Sequence, residues 1–324
     1  MKGFEMTTPL PTARTVPAKA KAVRFDQYGG TDVLYLADVD VPQPVSGEVL
    51  VAVRAAGTNP GEASIRQGYL DKAFPATFPS GQGSDLAGVV VQVGDGVDSF
   101  TVGDDVLGWT DRRASQAEYV SVPADQLIRK PAALCWEVAG SLYVVGATAY
   151  AAVRAVNAGP GDTVVVSAAA GGVGSVTVQL LKVRGANVIG IASENNHTWL
   201  TSVGVTPIAY GDGLADRIRA VAPSGADAFI DTFGDDYVHL AIELGIKPDR
   251  IDTIIAFDAA KETGAKREGS SAATSTDVLT EMADLVTSGQ ITVPIAATYS
   301  LDQVRAAYIE LEKRHTQGKI VLIP

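Results

Sequence analysis

The stretch "DTVVVSAAAGGVGSVTVQLLKVRGANVIGIAS" carries the residues of this chain whose spacing speaks most directly of chemistry. Ala169-Ala170-Gly171-Gly172-Val173-Gly174 repeats the dinucleotide fingerprint G-x-G-x-x-G, with alanine in its first place. At Gly171 the backbone can approach a pyrophosphate, where any Cβ would intrude, and Gly174 lets the following helix pack closely on the strand. The turn Ala170-Gly171-Gly172-Val173-Gly174 opens that helix, so its N–H groups and partial positive charge favour phosphates. At the end of the second β-like run an NAD-specific site often carries an acidic residue for the ribose hydroxyls. Ser193 stands there and leaves room for a 2′-phosphate, which favours NADPH, while Glu194 immediately after it argues the other way. His197, one helical turn on, is a candidate phosphate partner.

The flanking pattern supplies what the fingerprint needs: strand, Gly-rich turn, helix, short turn, second strand. "DTVVVSA", "ANVIGIA", "ADAFIDT" and "RIDTIIAF" read as buried parallel strands with helical periods between them, the rhythm of a doubly wound sheet. The first half differs. "KAVRF", "VLVAVRAAG", "LAGVVVQVG" and "AEYVSVP" are β-branched or alternating runs separated by Gly, Asp and Pro, so this half reads as mostly β. The ending "YSLDQVRAAYIELEKRHTQGKIVLIP" reads as a capped helix and then a strand that returns to the β-rich half. Residues 258–276, polar and Gly-rich, are expected to form a mobile surface excursion, and residues 1–19 a flexible tail without the apolar core of a signal peptide.

Composition narrows the class. The chain has 324 residues, enough for two domains. A net charge of −11 disfavours nucleic acid and anionic membrane surfaces as partners. No apolar run reaches the roughly 20 residues needed to span a bilayer. The single cysteine, Cys135, excludes an internal disulfide framework, and its apolar neighbours predict a buried thiol. These features fit a cytoplasmic setting. G-x-S-x-G, P-loop and H-E-x-x-H signatures are absent, and no tyrosine has a lysine four residues on, which removes the common hydrolase, nucleotidase and short-chain reductase readings.

Taken together, "GTNPGEASIRQG", "FPSGQGSDLAGVVVQVGDGVDSFTVGDDVLG", "AAAGGVG" and the C-terminal ending resemble the medium-chain dehydrogenase/reductase superfamily, in particular its zinc-independent quinone oxidoreductase (zeta-crystallin-like) group. The resemblance covers residues 20–324. It implies an α/β protein with a GroES-like β-rich catalytic domain over 20–138 and 293–324 and a Rossmann doubly wound parallel-sheet domain over 139–292. Zinc-dependent relatives carry Cys where this chain has Asn59, and a His-Glu pair where it has Ser84-Asp85, so no metal is expected.

The resemblance further implies an NADPH-dependent oxidoreductase that delivers a hydride to a quinone or to the C=C bond of an enone, alkenal or enoyl substrate. Asn59 matches a family asparagine near the nicotinamide and substrate, and Tyr69 the position of a proton-donating tyrosine. Glu62 replaces a family aspartate, with a structural role expected. Thr148 matches a threonine by the carboxamide, Tyr210 a tyrosine beside the adenosine phosphate, and Lys319 a lysine near the cleft. Phe257 falls where a strand end approaches the nicotinamide. Relatives often carry lysine at the place of His197. A homodimer is expected, paired through strands such as "DRIDTIIAF". The competing reading is a non-catalytic NADPH-binding sensor or structural protein, which needs only the phosphate half of this set.

Overall fold

The computed structural model describes residues 16–234 and 236–324. Residues 1–15, most of the expected tail, lie outside the described residues, and a strand already runs through Lys19–Phe25. Five parallel strands form the doubly wound sheet. In spatial order they are Thr206–Ile208, Asn187–Ile191, Thr163–Val166, Ala228–Asp231 and Ile251–Thr253. Val164, Val165 and Val166 are wholly buried, as are all residues of Ala228–Asp231, because helices cover both faces of a parallel sheet. Strand order reverses between Thr163–Val166 and Ala228–Asp231. The crevice at that reversal opens beyond the carboxyl ends of the strands, and residues 167–174 lie in it.

The other half is built on the long strand Glu48–Gly57, which pairs antiparallel with Asp85–Val93, Tyr119–Pro123 and Lys319–Ile323. Buried along most of its length, it supplies one wall of a separate apolar core with Leu86, Val90, Val106 and Val122. A smaller sheet of Lys19–Phe25, Tyr35–Asp40 and Ser80–Gly81 packs beside it. The C-terminal strand returns as the sequence pattern predicts: Val321 pairs with Gly57 and Leu322 with Ala56. The pairing matters for function because it sets Lys319 beside Thr58 and Asn59, which lie about 260 residues away in sequence.

Three expectations are corrected. Cys135 is exposed rather than buried: it is the residue before the short helix Trp136–Ala139, and Leu134 and Ala139 take the core positions instead. Residues 258–276, expected as a mobile excursion, carry defined elements packed against the fold. They include the helix Phe257–Thr263, closed by Gly264 at φ +80°, and the turn Ser270–Ala272. Polar anchors hold this segment, since Asp252 accepts from the Glu268 amide at 2.7 Å, Arg154 donates to the Ala272 carbonyl at 2.7 Å, and Tyr143 meets Thr274 at 2.8 Å. Last, "RIDTIIAF" is a strand only over Ile251–Thr253, because the Thr253 hydroxyl accepts from the amides of Ile255 and Ala256 and turns the chain. The outer edge of this strand is occupied by Lys266, whose amide donates to Ile251 and whose carbonyl accepts from Thr253.

Candidate active site

The helix Gly172–Val183 begins at the fingerprint with Gly171 as its N-cap, no capping side chain and no acidic residue in its first turn. The first N–H groups of a helix have no intrahelical partner, so this terminus presents donors to an anion. The glycines divide the labour. A Cβ on Gly174 would lie 2.1 Å from the Ala168 carbonyl oxygen, so this glycine is required for helix-on-strand packing. A Cβ on Gly171 would meet only that same oxygen, at 3.2 Å, and would otherwise stand in the open groove. Ala170 also lines the groove, whereas Gly172 faces the Lys319 stem, which a Cβ would meet at 3.3 Å.

That groove has a volume of about 600 Å³ and runs from Gly171 past Ser193, Asn196 and Tyr210 to Arg314 and Thr316. Ser193 lies two residues past the strand Asn187–Ile191, and its hydroxyl accepts from Asn196 at 3.0 Å. Tyr210 is half exposed on the far wall. Arg314 holds a left-handed φ of +59°, donates to the Phe233 carbonyl and lies 3.9 Å from the Phe233 ring centroid, which fixes its charge at the groove mouth. These residues fit a dinucleotide: a cradle that a Cβ would fill, helix-start amides without intrahelical partners, and a serine and an arginine lining the same groove. Arg314 escaped sequence reasoning. The signal was available in its closeness to Lys319 in "RHTQGK".

A second group of polar residues is buried between the fingerprint and the β-rich half. Lys319, 3% exposed, donates to the Asn59 side-chain oxygen at 2.6 Å and the Thr58 carbonyl at 2.8 Å, and it pairs with Asp85 at 3.4 Å. The Asn59 amide donates to Glu62 at 3.0 Å and to Asp85 at 3.1 Å. Asp85 also accepts the Val144 amide at 2.7 Å, in the first turn of the helix Leu142–Ala155. Glu62 accepts five hydrogen bonds, from the amides of Asn59 and Ser84 and from the side chains of Asn59, Gln116 and Tyr308. Burial, helped by the charge of Asp85, holds the Glu62 carboxyl above its ordinary range, and the bonds from Tyr308 and Asn59 and the Lys319 charge offset only part of that rise. Five donors and no acceptor face its oxygens, so the geometry holds the carboxylate form. Burial beside Glu62 raises the Tyr308 hydroxyl well above the ordinary tyrosine range, which keeps it a donor.

The other expected site residues fall in varied places. Thr148 is buried in Leu142–Ala155 and its hydroxyl donates to the Val144 carbonyl at 2.5 Å. Val173 is half-buried in the first turn of its helix. His197 opens the helix His197–Ser202 with a ring nitrogen 3.4 Å from the Ala192 carbonyl, and Asn196, not His197, lines the groove. Phe257 is 42% exposed at the start of its helix. Tyr69 is 78% exposed on the turn after the helix Pro60–Arg66, outside the buried group. Glu62, expected to be structural, is the hub of that group, and Tyr308, on the helix Val304–Glu312, joins it unannounced. Among the described residues no cluster of three or more His, Cys, Asp or Glu side chains is placed to hold a metal ion. No described helix is long and apolar enough to cross a membrane.

A Rossmann sheet with a glycine cradle, beside a β-rich half that carries a buried polar set, is the architecture of a dehydrogenase/reductase fold. Comparison with known proteins agrees. The alcohol dehydrogenase GroES-like domain family matches residues 45–132, and the zinc-binding dehydrogenase family residues 203–322. The mouse synaptic vesicle membrane protein VAT-1 homolog is 30% identical over 338 residues, covering 92% of this chain and 82% of that protein. Its rat counterpart is 38% identical over 213 residues, a match that spans about half, 52%, of that protein's length. The chloroplastic NADPH-dependent alkenal/one oxidoreductase of Arabidopsis thaliana is 29% identical, covering 96% of this chain and 81% of that protein. The solved quinone oxidoreductase from Coxiella burnetii superposes with a TM-score of 0.86 at 30% identity, covering 94% of this chain and 99% of that one. The chain belongs to the medium-chain dehydrogenase/reductase superfamily and is an oxidoreductase of the quinone oxidoreductase type of fold.

Proposed function

We propose that the protein is a zinc-independent, NADPH-preferring reductase of quinones or of the C=C bond of enones and alkenals. The observation that carries the reading is the pairing of an open phosphate cradle at Gly171 with a buried ammonium, Lys319, bound to Asn59 and Asp85. Asn59 and Asp85 stand where zinc-dependent relatives carry Cys and the Glu of a His-Glu pair. A fixed ammonium already engages the oxygens a cation would need, and an amide has replaced the thiolate. Without a Lewis acid the alcohol–ketone reaction loses its usual activation, which leaves reduction of conjugated systems. The names of the Arabidopsis and Coxiella relatives point to the same substrate class.

NADPH, when bound, supplies the hydride. The amides at the start of Gly172–Val183 would bind the pyrophosphate, and Ser193, Asn196, Tyr210 and Arg314 would accommodate the adenosine end. Residues 20–138 and 293–324 act as the catalytic domain and 139–292 as the cofactor domain. The buried set built on Lys319 fixes the loop that carries Asn59 and excludes water behind the cleft. Asn59 spends both side-chain N–H groups on Glu62 and Asp85, so in this conformation it positions the cleft wall and leaves no donor for substrate. A homodimer partner would meet the outer side of the Lys266 segment, because the inner side is already paired. The test is an NADPH-oxidation screen over quinones, enones, alkenals and enoyl thioesters. Turnover of one of these classes supports the reading. Tight NADPH binding with no turnover of any of them favours a non-catalytic binder instead.

A further inference from the structure

The buried set around Asn59 is not neutral. Glu62 and Asp85 are 7% and 0% exposed, and the one cation bonded within the set is Lys319. Arg66, also wholly buried, lies 5.0 Å from the Tyr308 ring but is neutralised by its own pair with Glu312 at 2.5 Å. Two carboxylates against one ammonium leave a net charge of −1 where water cannot screen it. The set also lies against the cofactor cradle. The Lys319 stem is the nearest neighbour of the Gly172 Cβ position, with Val145 next, and Asp85 holds the amide of Val144, one turn before Thr148.

A nicotinamide ring is neutral when reduced and cationic when oxidised. An uncompensated buried negative charge beside the cleft interacts differently with the two forms. We propose that the Glu62–Asp85–Lys319 set favours the oxidised, cationic nicotinamide over the reduced one and thereby strengthens the bound cofactor as a hydride donor. The inference rests on the reading of the site as a nicotinamide-dependent reductase and adds a thermodynamic role to residues otherwise explained as packing. Because both nucleotide forms carry the same phosphates, the ratio of their affinities isolates the effect of charge near the ring from effects on the phosphate cradle.

The test is titration of NADP⁺ and NADPH against the parent, Glu62→Gln, Asp85→Asn and Lys319→Met, with circular dichroism to establish folding. Removing a carboxylate should raise Kd(NADP⁺)/Kd(NADPH) by about 3- to 20-fold, the range of a unit charge acting across partly screened protein over one to two side-chain diameters. Removing Lys319 should move the same ratio the opposite way. Asp85→Asn carries the test if Glu62→Gln does not fold. Opposite shifts support the proposal. Ratios within twofold of the parent, or shifts of one sign for all variants, overturn it while leaving the reductase reading intact. A parent that binds neither nucleotide overturns both.

Discussion

Replacing Gly171 with valine separates a phosphate cradle from a mere turn. The backbone at Gly171 has φ −71° and ψ −177°, a conformation open to any residue, so the substitution adds no left-handed strain. The one contact a Cβ would make within 4 Å is the Ala168 oxygen at 3.2 Å, which a shift of a few tenths of an ångström relieves. Valine is a poorer N-cap than glycine, a loss of about 1 kcal/mol, or roughly 2–4 °C in Tm for a chain of this size. Binding should suffer far more. The valine methyls occupy the groove where phosphate oxygens must reach the helix amides. Each charge-assisted hydrogen bond lost is worth about 1.5–3 kcal/mol, hence about ten- to 150-fold in Kd. Gly174→Ala is the opposite control: its Cβ would stand 2.1 Å from the Ala168 oxygen and 2.9 Å from the carbonyl carbon, both backbone atoms that cannot yield cheaply. Overpacking of that kind costs about 1–3 kcal/mol or more, so Tm should fall further than for Gly171→Val. Melting curves and NADPH titrations on both variants decide the matter. A folded Gly171→Val protein that binds NADPH like the parent refutes the cradle, and a Gly174→Ala protein that melts like the parent refutes the packing argument.

The parent should bind NADPH more tightly than NADH, and Ser193→Asp should reverse the order by repelling the 2′-phosphate and offering the ribose hydroxyls an acceptor; equal affinities in the parent count against this. Burial pushes the Asp252 carboxyl from 3.8 up to about 7, and one of its oxygens has no hydrogen-bond partner among the described residues. Between pH 4 and 7 the folded state therefore keeps a proton that the unfolded chain has released. The stabilisation is complete below about pH 4, declines up to about 7 and is absent above, with a slope of at most about 1.4 kcal/mol per pH unit. Asp252→Asn should remove that decline, so parent and variant Tm values should converge or cross as pH varies; parallel Tm–pH curves would contradict the assignment. Elemental analysis should find substoichiometric zinc and a chelator should leave turnover unchanged, whereas stoichiometric, chelator-sensitive zinc would overturn the role given to Lys319.

What the sequence determined by itself is local. The cradle was legible because strand, turn and helix occupy one continuous run, and Gly171 and Gly174 act through backbone geometry that spacing encodes directly. Continuous apolar runs revealed the buried strands for the same reason, and the capped ending revealed its helix. What only the tertiary structure decided is which distant polar groups meet. Asn59, Glu62 and Lys319 read singly as a cleft amide, a structural acid and a lysine near the cleft, Asp85 entered only as a position where zinc-dependent relatives differ, and Tyr308 carried no expectation; the antiparallel pairing of Lys319–Ile323 with Glu48–Gly57 gathers them into one buried set. The same distinction explains the misreadings. Cys135 has apolar neighbours in sequence but faces solvent at a helix start, and the polar segment 258–276 is held by partners more than 100 residues earlier, Tyr143 and Arg154. A hydrophobic period records which face of an element is buried. Hydrogen bonds between remote side chains leave no period, because their partners are chosen by chain topology and not by neighbours along the chain.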